Sequence, residues 1–315
     1  MKRLALIKDS MNFWKVYKPI FKDYSIEVVT LDIFNYEDQQ RVLNEKWDGF
    51  FWRAKHDPKY RDLAKRFIYL FEKKIGVKTF PSWDDYWLYD DKMAQTFLFN
   101  KLNISSPKTF IFYNKEEGIE FAEKYEKYPL VYKASSGAGS ANVGLLKSKS
   151  QTKRYIKKVF GNGIKTSFKE DLQRFYVYFQ EYLSDNEGGY RVVCHSNKML
   201  YGYFKYNDKN SKFATGLGNI DLSPPHEDLL KFAYGVHKLL DFPQVMSYDI
   251  FKDNSGNYSV LEMSVIYSGL DSFQKNIDAP KFEVNEKHEI IRIENNVDYH
   301  ARFINLLLKK WNWIE

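Results

Sequence analysis

Apolar and polar positions change period several times along the chain, and each change predicts an element. Residues 4–7 form a short apolar run and 26–31 alternate, so both read as strands, with a helix over 14–21 between them. A third apolar run covers 47–53. Across 60–75 the apolar residues Tyr60, Leu63, Ala64, Phe67, Leu70, Phe71 and Ile75 recur at helical spacing, and Gly76 stands where a helix would stop. This first third is a βαβ-type unit. It lacks G-x-G-x-x-G, which argues against a dinucleotide site there.

Phe80-Pro81-Ser82 punctuates the chain, and a domain boundary is expected near residue 83. Asp90-Asp91 then opens a helix over 92–102. Beyond it the pattern predicts a strand (110–113), a helix (115–125), a strand ending at Lys133, a Gly/Ser-rich loop, apolar Leu145-Leu146 and a basic helix over 151–160. Strands follow at 175–183, 190–195 and 199–205, then helices near 225–240 and 297–313 separated by a hairpin. The segment after residue 270 offers no recognisable specificity motif.

The 315 residues are 44% hydrophobic and 28% charged, which excludes a disordered or fibrous chain. One cysteine, Cys194, and six scattered histidines exclude an internal disulfide and a zinc site, so a cytoplasmic protein is expected. No apolar run is long enough for a membrane span. The formal charge of +7 comes from 48 basic residues, of which 38 are lysine; spread evenly, they read as solvated surface, and nucleic acid is not expected as a partner.

Chemistry concentrates in three places. The stretch 132–144, Tyr-Lys-Ala-Ser-Ser-Gly-Ala-Gly-Ser-Ala-Asn-Val-Gly, has small residues whose amides can wrap phosphate oxygens, with Lys133 adding charge at the entering strand. It is not a P-loop, and a flexible surface loop is the alternative. In the hairpin 247–264 a symmetric register pairs Asp249 with Glu262. Facing carboxylates repel, so a cation between them is expected, a hard divalent ion being the natural one, with Ser264 on the same face. A register one residue different would turn Asp249 to solvent. Residues 175–185 read as a buried strand with a polar end, where freed backbone groups could meet a base and Asp185 or Glu187 a ribose. Arg191 and Lys205 are candidate phosphate clamps.

In this order these pieces resemble the ATP-grasp superfamily, which includes glutathione synthase, D-alanine-D-alanine ligase and ribosomal-protein glutamate ligases. Asp91-Lys92 and Lys133 look like the family's two ATP lysines, and Ser135, Ser136, Gly137 and Gly139 like its phosphate loop. Gln180-Glu181-Tyr182-Leu183 resembles the adenine hinge, Arg191 the phosphate arginine, and Asp249, Glu262 and Ser264 the magnesium segment. The resemblance spans about 80–270. It implies mixed α/β and α+β architecture: a Rossmann-like βαβ unit (1–83), an ATP-grasp small subdomain with the phosphate loop (84–179), and a large subdomain with hinge, metal site and C-terminal helix (180–315). It further implies ATP and Mg²⁺, small-molecule carboxylate and amine substrates, homo-oligomers in many members, and amide formation through an acyl phosphate, with Arg191 and Lys205 catalytic and substrate contact near Ser268-Gly269. Two departures stand out. Ser264 occupies a position where many members have asparagine, and no arginine occurs between Arg191 and Arg292. The second leaves phosphoryl transfer without amide formation as an alternative reading, and a non-enzymatic polyanion-binding module is another.

Overall fold

The computed structural model describes residues 1–134, 137, 142–169, 171–183, 187–207, 219–268, 274–294 and 298–315. The chain opens with β1 (Arg3–Ile7), α1 (Phe13–Asp23), β2 (Glu27–Leu31), α2 (Tyr36–Asn44), β3 (Gly49–Phe51), α3 (Pro58–Ile68), β4 (Lys78–Phe80) and α4 (Trp83–Tyr86). Its four strands run parallel in the order β2-β1-β3-β4. The helical pattern of 60–75 is realised in two parts. Asp57 caps the N-terminus with Pro58 in the first turn, and beyond Ile68 the coil widens into π turns that end at Gly76, whose φ of 81° suits glycine.

Next come α5 (Lys92–Leu102), β5 (Thr109–Phe112), α6 (Lys115–Lys124), β6 (Leu130–Lys133), β7 (Val143–Leu146), α7 (Lys149–Phe160), the short ribbon β8 (Ile164–Lys165) and β9 (Leu172–Gln173), and β10 (Val177–Glu181). The strands β5-β10-β6-β7 pair antiparallel in that order. The last third holds β11 (Gly188–His195), β12 (Met199–Tyr206), β13 (Ile220–Asp221), α8 (Glu227–Leu239), β14 (Met246–Lys252), β15 (Tyr258–Ser264), α9 (Gln274–Asp278), β16 (Lys281–Val284), β17 (Ile290–Ile293) and α10 (Tyr299–Lys310). Its antiparallel sheet runs β15-β14-β11-β12-β16-β17, with β13 beside β12. The segment after 270 therefore contributes sheet, since Lys281 pairs with Tyr201.

Two hydrophobic cores result. The parallel sheet and the large antiparallel sheet share one, sealed by α10, whose Phe303 packs on Tyr17, Phe51 and Phe80. The smaller sheet keeps its own core, built from Ala122, Leu130, Leu146, Ile156, Val159, Val177 and Phe179. Among the described residues no helix is long and apolar enough to cross a membrane.

Candidate active site

The cleft between these cores collects most of the residues singled out in the sequence. Lys92 begins α5, where Asp91 caps the helix by accepting the Ala94 amide at 3.0 Å. Lys133 ends β6, and both lysines are buried. Opposite them the β14–β15 hairpin sets Asp249 against Glu262, but not by simple symmetry. Counting outward from the turn, Lys252 faces Tyr258 and Ile250 faces Val260, which would carry Asp249 to Leu261. An irregularity between Asp249 and Ile250 makes Leu261 the extra residue and brings Glu262 into register. Bulges of this kind re-aim a side chain next to functional sites.

Pairing across four strands aligns Tyr203, Arg191, Asp249 and Glu262 in one row. Arg191 donates from Nε and Nη2 to the two oxygens of Asp249, each at 2.9 Å, and Lys205 reaches Oδ1 at 2.8 Å. Burial alone would raise the Asp249 pKa, yet Arg191 and Lys205 hold it well below the ordinary carboxylate value. Lys205 is pushed down to about 8 by burial and by the neighbouring Arg191 charge. On the Glu262 side, Lys92 approaches at 3.8 Å and also lies 3.6 Å from Asp90. The expected cation beside the facing carboxylates is thus provided by the chain itself, and their opposition alone does not require a metal ion.

Lys133 has no carboxylate within 4 Å among the described residues. Burial pushes its pKa down to about 8, against the pull of Glu262 and Asp249, so it shares their electrostatic field. Its ammonium lies 5.9 Å from the centre of the Tyr178 ring. A small cavity beside it is lined by Lys92, Thr96, Tyr178, Gln180 and Leu261, among others. Gln180 turns into the sheet and donates to the Thr109 hydroxyl at 3.0 Å, while the Glu181 amide donates to the Lys108 carbonyl at 2.9 Å. Tyr182 and Leu183 leave the strand half-buried. Ser264 donates its hydroxyl to the Ile266 carbonyl at 2.5 Å. Two carboxylates on adjacent strands suit magnesium, which is commonly held by one or two carboxylates plus substrate phosphates. No group of three His, Cys, Asp or Glu side chains able to hold a metal occurs among the described residues.

Of the small-residue loop, Gly137 is described, with φ of 124° and no room for a Cβ, which would sit 2.5 Å from the Asn142 amide. Ser135, Ser136, Gly139 and Asp185 lie outside the described residues, as does Gly269. Sequence reasoning overlooked several contributors. Asp90 accepts the Gly137 amide and pairs with Arg61 at 3.2 Å, joining loop, helix and N-terminal unit. Gln95 donates to the carbonyls of Leu88 and Met263, each at 2.8 Å, and accepts the Met263 amide at 3.0 Å. Arg53, just beyond β3, reaches the Tyr267 carbonyl at 2.8 Å, beside Ser268. Only the run Asp90-Asp91-Lys92 hinted at any of these.

No family model matches the chain. The α-aminoadipate–LysW ligase LysX of Saccharolobus solfataricus is 23% identical over 203 residues, 62% of this chain and 67% of that protein. Among solved structures, D-cycloserine synthetase DcsG superposes over 98% of this chain and 99% of its own at 14% identity, with a TM-score of 0.65. The ATP-grasp ligase PsnB, complexed with minimal precursor, Mg and ADP, gives 0.61 at 13% identity, covering 98% of both chains. These likenesses give the fold: the chain is built like the ATP-grasp ligase structures it superposes on, and its buried lysines and facing acids stand in the order in which its sequence resembles that superfamily.

Proposed function

We infer that the chain is an ATP-dependent ligase that joins a carboxylate to an amine through an acyl phosphate. The observation that carries this is the convergence of buried Lys92 and Lys133 on the Asp249–Glu262 pair, with Arg191 in the same row and Lys205 bonded to Asp249. The arrangement contributes charge and position rather than a protein nucleophile, which suits phosphoryl transfer. Lys92 and Lys133 hold phosphate oxygens, the backbone at Gln180 to Leu183 receives the base, and the loop around Gly137 covers the phosphates. Asp249 and Glu262, with Ser264 adjacent, would hold magnesium, which when bound neutralises charge on the phosphate oxygens. Arg191 and Lys205 hold the transferring group. The substrate carboxylate attacks the γ-phosphorus and ADP departs with the bridging oxygen. The amine then attacks the acyl carbon, phosphate leaves, and the amine gives up a proton.

The test is ADP release from ATP with magnesium and pooled amino acids or small peptides as acceptors. Acceptor-dependent ADP and phosphate, with a new amide in the products, is the expected result. Glu262→Gln should lower turnover by about 10²-fold, the order seen when one electrostatic stabiliser is removed. ADP release indifferent to magnesium and to Glu262→Gln would overturn the reading.

A further inference from the structure

The charge of this molecule is not evenly spread, as its lysine count suggested. Residues 147–174 hold nine Lys and Arg against two acids, a net of +7, which is the whole formal charge of the chain. The other 287 residues carry 39 charges of each sign. This segment is α7 with the ribbon β8–β9, on the small subdomain. Lys153 pairs with Glu123 at 2.6 Å at the α6 edge; among the described residues the other eight cations have no carboxylate within 4 Å. Thr152, Tyr155, Ile156 and Val159 face the core, while Arg154, Lys157 and Lys158 stand exposed.

The ribbon that follows α7 carries an anomaly. Phe175 is 79% exposed and has φ of 68°, a conformation that costs a bulky residue energy and is retained where function holds it. Leu172, 38% exposed, lies on the same ribbon. Arg174 donates to the Asn162 carbonyl at 3.3 Å, tying the Phe175 corner to the C-terminal end of α7. The ribbon also meets the active site. The Ser167 amide donates to the Asn142 side chain at 2.7 Å, directly after the phosphate loop, and Phe168 packs on His56 of the N-terminal unit with ring centres 5.6 Å apart.

We propose that the α7–ribbon face docks an acidic polypeptide segment, with Phe175 as its apolar anchor, and so presents one ligation substrate to the cleft as part of a peptide or protein. The proposal rests on the ligase reading for what is presented, not for the docking itself. Seven of the nine cations are lysine, the strongly hydrated point charge, whereas phosphate and nucleic-acid readers favour the planar fork of arginine. Cations without a carboxylate partner, on a segment that also exposes an apolar pair, match acidic side chains around an apolar residue.

The probe is a fluorescent peptide of about twenty residues, rich in Glu and Asp with one central Leu, titrated without ATP and read by anisotropy at several salt concentrations. Binding should weaken steeply with salt. The triple variant Arg154→Glu, Lys157→Glu, Lys158→Glu should lower affinity at least tenfold, and Phe175→Ala severalfold with the charge unchanged. The control Lys18→Glu, Lys22→Glu, Lys238→Glu should bind as the parent does. Equal loss in the control, or no effect of Phe175→Ala, overturns the proposal, as does a single-stranded oligonucleotide that binds more tightly than the peptide. A thermal shift with Mg-ATP on every variant reports folding and the nucleotide site separately. Mg-ATP binding without peptide binding refutes the docking face and leaves the ligase reading standing, and the reverse pattern refutes only the latter.

Discussion

At the scale of single residues, burial opposes two charges in one cleft, with different outcomes. Asp249 keeps its charge because Arg191 and Lys205 meet it at hydrogen-bond distance, whereas Lys133 has only longer-range attraction to set against its desolvation. Its pKa of about 8, down from 10.5, has two consequences of definite sign. For stability, the folded chain binds fewer protons than the unfolded one between those values, so this lysine's unfavourable contribution is full below pH 8 and fades as pH rises. For function, the protonated form attracts phosphate, and it is lost as pH rises through about 8. The profile of kcat/KM for ATP, which reports free enzyme, should therefore fall about tenfold per pH unit on the alkaline side. Lys133→Arg should make that fall shallower, leaving the part set by Lys205, whose pKa is also about 8. A profile flat to pH 9.5 in the parent would contradict this assignment.

At the scale of elements, the site depends on how α5 lies along the open edge of β15. That strand pairs with β14 on one side; on the other, the Gln95 amide exchanges hydrogen bonds with Met263 as a neighbouring strand would, and the Val260 amide donates to the Ser105 carbonyl at 2.8 Å. One glutamine thereby fixes the start of α5, and Lys92 with it, relative to Glu262. Gln95→Leu orphans the Met263 amide and carbonyl in a buried place, at a cost of roughly 2–3 kcal/mol. Urea denaturation should show that loss, and KM for ATP should rise while kcat changes less, since positioning rather than chemistry is disturbed. Equal stability of parent and variant would mean that the edge is held elsewhere. This element also shows what the sequence could disclose. Asp91 as cap and Lys92 as first helical residue were legible, because capping is local. The pairing of Asp249 with Glu262 was legible in outcome but not in cause, since no local pattern announces the bulge at Leu261. Gln95 was invisible, its partner lying 168 residues away.

At the scale of the whole molecule, strands and helices with strong period were readable, and the order of motifs gave the class. The sharing of one core by the first and last thirds was not, because it depends on contacts such as Phe303 with Phe51 and Arg53 with Tyr267 that no local window contains. That division of cores has a mechanical consequence. The small sheet, with α6 and α7, packs on its own core, so it can open or shift without breaking the larger one. Its links to the rest among the described residues include polar or single contacts: Asp90 and Lys92 to Gly137, Thr96 to Tyr178, His56 to Phe168. Hydrogen exchange should accordingly show β5, β6, β7 and β10 opening at lower free energy than β1, β3, β11 and β14. A non-hydrolysable ATP analogue with magnesium should slow exchange at the end of β6 and along β10, where Lys133 and the residues proposed to receive the base lie, and leave β1 and β3 unchanged. If all strands exchanged through one global transition, with and without nucleotide, the two cores would be a single cooperative unit and closure of one over the other would lose its physical basis.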